Sequence, residues 1–173
     1  AVQMALAVVY PSAGNIGGGG FLVYRSAEGE TSTLDFREKA PKLATSNMYL
    51  DSNNKVIKNL SLVGHLSVGV PGTVDGMVSL HEKYGSLPWT DLIQPAIDLA
   101  MNGFKLTSKE ASNLNYFNSK KSVSTNINNP YFSESFHKGD TLFLKDLAST
   151  LAHIKNNKRA GFYKGIVADQ LVN

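Results

Sequence analysis

The sequence predicts an α+β fold in which two neighbouring strands are covered by several helices. Three observations lead there. A β-branched and aromatic run, Phe21–Arg25, meets a second, alternating run, 31–37, across the turn Glu28-Gly29-Glu30. Six further stretches carry helical patterns closed by Pro, Gly, Ser or Thr. Hydrophobic residues make up 42% of the 173 residues, enough for a globular core. Residues 1–173 are therefore expected to form a single unit with helices layered on the strands.

The elements follow in order. The opening stretch is helical to about Val9, and Pro11 closes it. A turn, Ser12-Ala13-Gly14-Asn15, leads to four consecutive glycines, Gly17 to Gly20, and then the first strand. In the second strand Leu34 and Phe36 point to one face, while Thr33, Asp35 and Arg37 point to the other. The apolar face wants a core; the opposite face wants water or a ligand. After Pro41 the chain is irregular, with another turn at Asp51-Ser52-Asn53-Asn54. The second helix runs from Thr73 to Tyr84 with Gly85 just past its end, and the third from Pro88-Trp89 to Asn102, closed by Gly103. Thr107 or Ser108 caps the next helix. Residues 119–137 are polar and carry no clear period. A short link over 140–144 enters a helix ending near Lys155, and a last helix occupies 163–172.

Composition narrows the chemistry. The net charge of +3 comes from scattered lysines, and the cluster Lys155, Lys158 and Arg159 reads as a solvated helix end, so no nucleic-acid surface is expected. With no cysteine there is no disulfide, thiolate metal site or cysteine nucleophile. No run is long and apolar enough to be a membrane-spanning helix. The first ten residues lack a basic stretch and read as the end of a helix begun upstream, not as a signal peptide. The last residues stop without a cap, so the sequence is expected to be a segment truncated at both ends.

The glycine run lies between a helix and a strand, the reverse of a phosphate loop, and no Gly-Lys-Ser/Thr follows it. Without Cβ atoms it admits either another backbone or a substrate at close range, and the residues favour neither. Arg37 at the rim of the polar face has two readings as well. It is a bidentate clamp for a carboxylate, or an ion pair with Asp35, Glu38 or another acid. His65, His81, His137 and His153 show no metal-binding spacing, no Gly-x-Ser-x-Gly elbow is present, and Trp89 reads as a core anchor. Nothing in the residues alone pairs a nucleophile with a base.

The motifs AVQMALAVVYPSAGNIGGGGF, TLDFREKAP, VGVPGTVDG, YGSLPW, LIQPAIDLAMNGF, KGDTLFLKDLASTL and FYKGIVADQLV together resemble the large subunit of bacterial γ-glutamyltranspeptidases, members of the N-terminal nucleophile (Ntn) hydrolases. They occur in the family's order across nearly the whole chain, weakening between Ser108 and His137. The resemblance implies part of a four-layer αββα sandwich, with the two strands in its central sheets. It also implies a precursor that cleaves itself into two subunits, the small one beginning with the catalytic threonine. That residue is not in this sequence, so no catalytic residue is assigned here and the segment is expected to be inactive alone. Glutathione or another γ-glutamyl compound is the implied donor, and an amino acid, a dipeptide or water the acceptor. No cofactor or metal is implied, and the location is periplasmic or secreted. Arg37 matches the arginine of the family's DFR motif and so is expected to bind the donor α-carboxylate. Asp75 stands where many relatives have a small apolar residue and is expected on a helix surface. The same scaffold serves β-lactam side-chain acylases and poly-γ-glutamate depolymerases, and a non-catalytic module keeping the fold is the alternative of another class.

Overall fold

The computed structural model describes residues 1–119, 130–131 and 135–172, so most of the polar stretch lies outside the described residues. In chain order the elements are α1 (Val2–Val9), β1 (Phe21–Arg25), β2 (Thr31–Asp35), α2 (Thr73–Tyr84), α3 (Trp89–Asn102), β3 (Phe104–Lys105), α4 (Ser108–Ser119), β4 (Thr141–Leu142), α5 (Lys145–Asn157), α6 (Ala160–Tyr163) and α7 (Ile166–Val172). They fall into two compact units, Ala1–Asn15 with 85–173, and Ile16–Tyr84.

The first unit is built on α3, which packs against α1 and α5. The helical period puts Ile93, Ala96 and Ala100 of α3 on one buried face, opposite Ala148, Leu151 and Ile154 of α5 and Met4 and Val8 of α1. Alanines on both α3 and α5 let the helices approach closely, and each fully buried Leu or Ile adds about 1.5–3 kcal/mol. Trp89 is the anchor expected: it is buried, and its indole N–H donates to the Ile154 carbonyl at 3.1 Å. Gly103 ends α3 at φ +79°, a conformation that suits glycine. The chain then forms a strand pair absent from the sequence reading, with Phe104 opposite Leu142 and Lys105 opposite Thr141.

α4 begins with a reciprocal cap. The Thr107 N–H donates to Glu110 Oε2 at 2.6 Å, and the Glu110 N–H donates to Thr107 Oγ1 at 3.3 Å. The helix expected over 163–172 is α7, beginning at Ile166, and a single turn not expected from the sequence, α6, comes before it. Lys158 takes a φ of +50°, ending α5.

The second unit holds the hairpin. β1 and β2 are antiparallel, with Phe21 opposite Asp35, Val23 opposite Thr33 and Arg25 opposite Thr31. Gly29 closes the turn at φ +90°, with Ser26 and Glu30 joined by a 2.8 Å backbone bond. The expected alternation is present: Ser32, Leu34 and Phe36 are half-buried, whereas Thr33, Asp35 and Arg37 are exposed. β2 is two residues shorter than expected, because beyond Asp35 the chain changes partner. Phe36 still exchanges bonds with Gly20 (2.9 and 3.4 Å), but Lys39 exchanges them with Val70 (3.1 and 2.8 Å). Val74 and Val78 of α2 form the core of this unit with Thr73 and Ile16, and Asp75 is exposed on α2 as expected.

Candidate functional site

Arg37 lies at the hand-over between those two partners. Its backbone is held from both sides, by the Phe36–Gly20 bonds before it and the Lys39–Val70 bonds after it. Its own N–H donates to Asp35 Oδ1 at 2.9 Å. The aspartate thereby spends an oxygen on the main chain two residues on, a local Asx-type bond.

The glycines flanking this stretch explain how two other segments reach it. A Cβ on Gly19 would stand 2.6 Å from the Phe36 carbonyl oxygen, 2.8 Å from Arg37 Cα and 2.8 Å from the Glu38 nitrogen. A Cβ on Gly72 would overlap the Phe36 carbonyl and come within 2.9 Å of the Arg37 carbonyl oxygen. Neither glycine has a positive φ, so the demand at both is for space. Close approach of a second backbone, one of the two readings open for the glycine run, thus holds at Gly19. The two segments are also joined to each other: the Gly18 carbonyl accepts from the Gly72 N–H (2.8 Å) and the Thr73 N–H (3.0 Å). That carbonyl satisfies amides at the start of α2 that the helix cannot satisfy itself. The segment leading into α2 therefore abuts the Arg37 backbone.

Among the described residues the guanidinium meets no acid. Its one assigned neighbour among them is the Phe21 ring, with Cζ 5.8 Å from the ring centre. Neither Asp35 nor Glu38 makes an ion pair with it. The N–H fork of Arg37 is thus unspent, and Arg37 is exposed. The sequence pointed to Arg37 but not to Phe21, Gly19 or Gly72 as its supports. The signal for the last two lay in glycines of the GGGGF and VGVPGTVDG motifs, whose shared contact no local pattern reveals.

Elsewhere the chemistry is sparse. His81 and His153 sit half-buried within α2 and α5, and His65 and His137 are exposed. Among the described residues no three His, Cys, Asp or Glu side chains gather as a metal site. The first unit contains an apolar cavity of about 270 Å³ lined by Tyr10, Phe104, Leu106, Leu114, Phe117 and Tyr131, among others. Burial raises the Tyr131 phenol there to about 12.

A mixed α+β segment presenting an unpaired arginine from a glycine-walled hairpin is the class defined by the fold and site. The family model for γ-glutamyltranspeptidase matches residues 1–173, and the chain belongs to that family. It is 49% identical to the glutathione hydrolase proenzyme of Pseudomonas sp. (strain A14), over 99% of this chain and 30% of the relative. The crystal structure of Helicobacter pylori γ-glutamyltranspeptidase superposes with a TM-score of 0.87 at 45% identity, covering 98% of this chain and 50% of that one. The γ-glutamyltranspeptidase of Pseudomonas nitroreducens, solved with L-DON, also gives 0.87, at 40% identity and the same coverage. The α+β class is thus that of the γ-glutamyltranspeptidases, and the chain spans about 30% of the length of the curated relatives it matches. No helix among the described residues is long and apolar enough to cross a membrane.

Proposed function

We propose that the full-length protein transfers or hydrolyses the γ-glutamyl group of glutathione and related donors, and that this segment supplies Arg37 to hold the donor's α-carboxylate. The observation that carries the reading is the unspent guanidinium on a backbone fixed from both sides. A planar fork with free donors matches a carboxylate with two parallel, charge-assisted bonds.

In this reading residues 1–173 are one part of an Ntn-hydrolase domain and its large subunit, working in the periplasm or outside the cell. The partner is a small subunit, released from the same precursor, that begins with the catalytic threonine. That threonine's hydroxyl oxygen attacks the γ-carbonyl carbon while its own α-amine takes the proton. The C–N bond breaks, the amine leaves with a proton, and a glutamyl ester remains. Water or the amine of an amino acid or dipeptide then attacks the ester carbonyl and regenerates the hydroxyl. Arg37 takes no part in bond making; it fixes the far end of the donor so that the γ-carbonyl is presented to the nucleophile.

The test is Arg37→Ala in the full-length protein. Losing one partner of a hydrogen-bonded charge pair costs roughly 2–5 kcal/mol, so the donor KM rises by at least about thirtyfold. Self-cleavage into two chains, read on a denaturing gel, proceeds as before. A donor KM equal to that of the unaltered enzyme would remove Arg37 from the site. Running glutathione, a glutaryl-cephalosporin and poly-γ-glutamate side by side identifies the donor class.

A further inference from the structure

We propose that Phe21 is a positioning residue for the donor clamp: its ring holds the Arg37 guanidinium while leaving the N–H donors free for the substrate carboxylate. This inference rests on the reading of Arg37 as that clamp, and it adds a residue and a mechanism to it.

The argument begins with register. Phe21 pairs with Asp35 across the hairpin, so both point to the exposed face. Arg37 lies two residues beyond Asp35 on that face, which makes Phe21 its diagonal cross-strand neighbour, within reach of a long side chain. The position beside Phe21 that would crowd the arginine most closely is Gly19, which has no side chain and lies against Arg37 Cα. The guanidinium accordingly sits with Cζ 5.8 Å from the Phe21 ring centre.

Chemistry explains why a ring serves here and an acid would not. Arginine in water is a long, mobile side chain, and ordering it on binding weakens the complex. A carboxylate partner would fix it but consume the donors that the substrate needs. An aromatic face attracts the cation through its quadrupole and takes no N–H. Asp35, on the same face, accepts the Arg37 backbone N–H at Oδ1 and makes no ion pair with the guanidinium. Phe21 is 67% exposed, as is Val23 at 80% on the same face. These apolar side chains on an otherwise polar face (Thr33, Asp35, Arg37) find a role in lining the approach to the guanidinium.

The experiment uses the full-length, self-cleaved enzyme with a chromogenic γ-glutamyl anilide as donor. Phe21→Leu keeps apolar bulk and removes the ring; Phe21→Tyr keeps the ring. The expected result is a donor KM raised about threefold to tenfold for F21L, with kcat within about twofold, and values close to the unaltered enzyme for F21Y. In an Arg37→Ala background, F21L adds nothing further, because the group it positions is gone. If F21L does not self-cleave, Phe21→Met against Phe21→Tyr makes the same comparison. An F21L donor KM equal to the unaltered one, an equal effect in the R37A background, or no rescue by F21Y overturns the positioning role. If R37A itself leaves the donor KM unchanged, the clamp reading fails instead, so the two failures are distinguishable.

Discussion

Adding one methyl group at Gly19 should disable the arginine without touching it. In Gly19→Ala the new Cβ starts 2.6 Å from the Phe36 oxygen and 2.8 Å from both Arg37 Cα and the Glu38 nitrogen. To restore ordinary contact at 3.4 Å, the Phe36 carbonyl must retreat by ~0.8 Å. All three neighbours are backbone, so no side chain can rotate to relieve the overlap. Alanine is conformationally acceptable there, because Gly19 does not have a positive φ; the whole effect comes from packing. Overfilling a close contact of this kind costs about 1–3 kcal/mol. Misplacing a binding group by close to 1 Å costs up to about a hundredfold in rate. The assay is donor kcat/KM of the full-length, self-cleaved enzyme, measured beside its thermal unfolding midpoint. The expected outcome is a fall of at least tenfold in kcat/KM with a lowered midpoint. If G19A retains both, the strand carrying Arg37 moves freely against the glycine run, and the socket described here does not constrain it.

Two further outcomes test the first unit. Thr107→Ala removes the hydroxyl half of the α4 cap and should cost about 1 kcal/mol locally. Amide hydrogen exchange of Glu110 in the full-length protein accelerates several-fold, while exchange in α3 and α5 stays unchanged. The Tyr131 phenol is raised to about 12 by burial, so its native state favours the protonated form. Its contribution to stability is fully present below the ordinary tyrosine value of about 10 and is lost as pH rises through about 12. Ultraviolet titration of the full-length protein should show a late phenolate step that Tyr131→Phe abolishes; a titration ending at the same pH in both would refute the buried assignment.

Local chemistry was legible in the sequence, and long-range approach was not. The strand Phe21–Arg25, the turn at Gly29 and the alternation placing Arg37 with Asp35 all follow from patterns within a few residues. So do the start of α2 at Thr73 and the end of α3 at Gly103. The pair β3–β4 escaped notice because two residues cannot display a period, and Lys105 meets Thr141 only through the tertiary fold. The single turn α6 is not legible because four residues cannot display a helical period, and Lys158 before it, a non-glycine residue, takes a positive φ that its type does not announce. At the site, Arg37 was visible as a charged residue on a strand rim. Its freedom from Asp35 and Glu38 was not, since each acid could have claimed it. Only the fold reveals that Asp35 instead caps the main chain and that the glycines of two separate motifs abut the same stretch.

The Lys39–Val70 bonds close a long excursion, residues 40–69, at its base. Most of that excursion is exposed and carries its own small turn stapled by Leu50 and Val56. Doubling the length of a flexible loop costs only about 0.6 kcal/mol in closure entropy. Relatives are therefore at liberty to lengthen, trim or recolour this outer flap, and to alter what it meets, while the knot at its neck shields the arginine from the experiment.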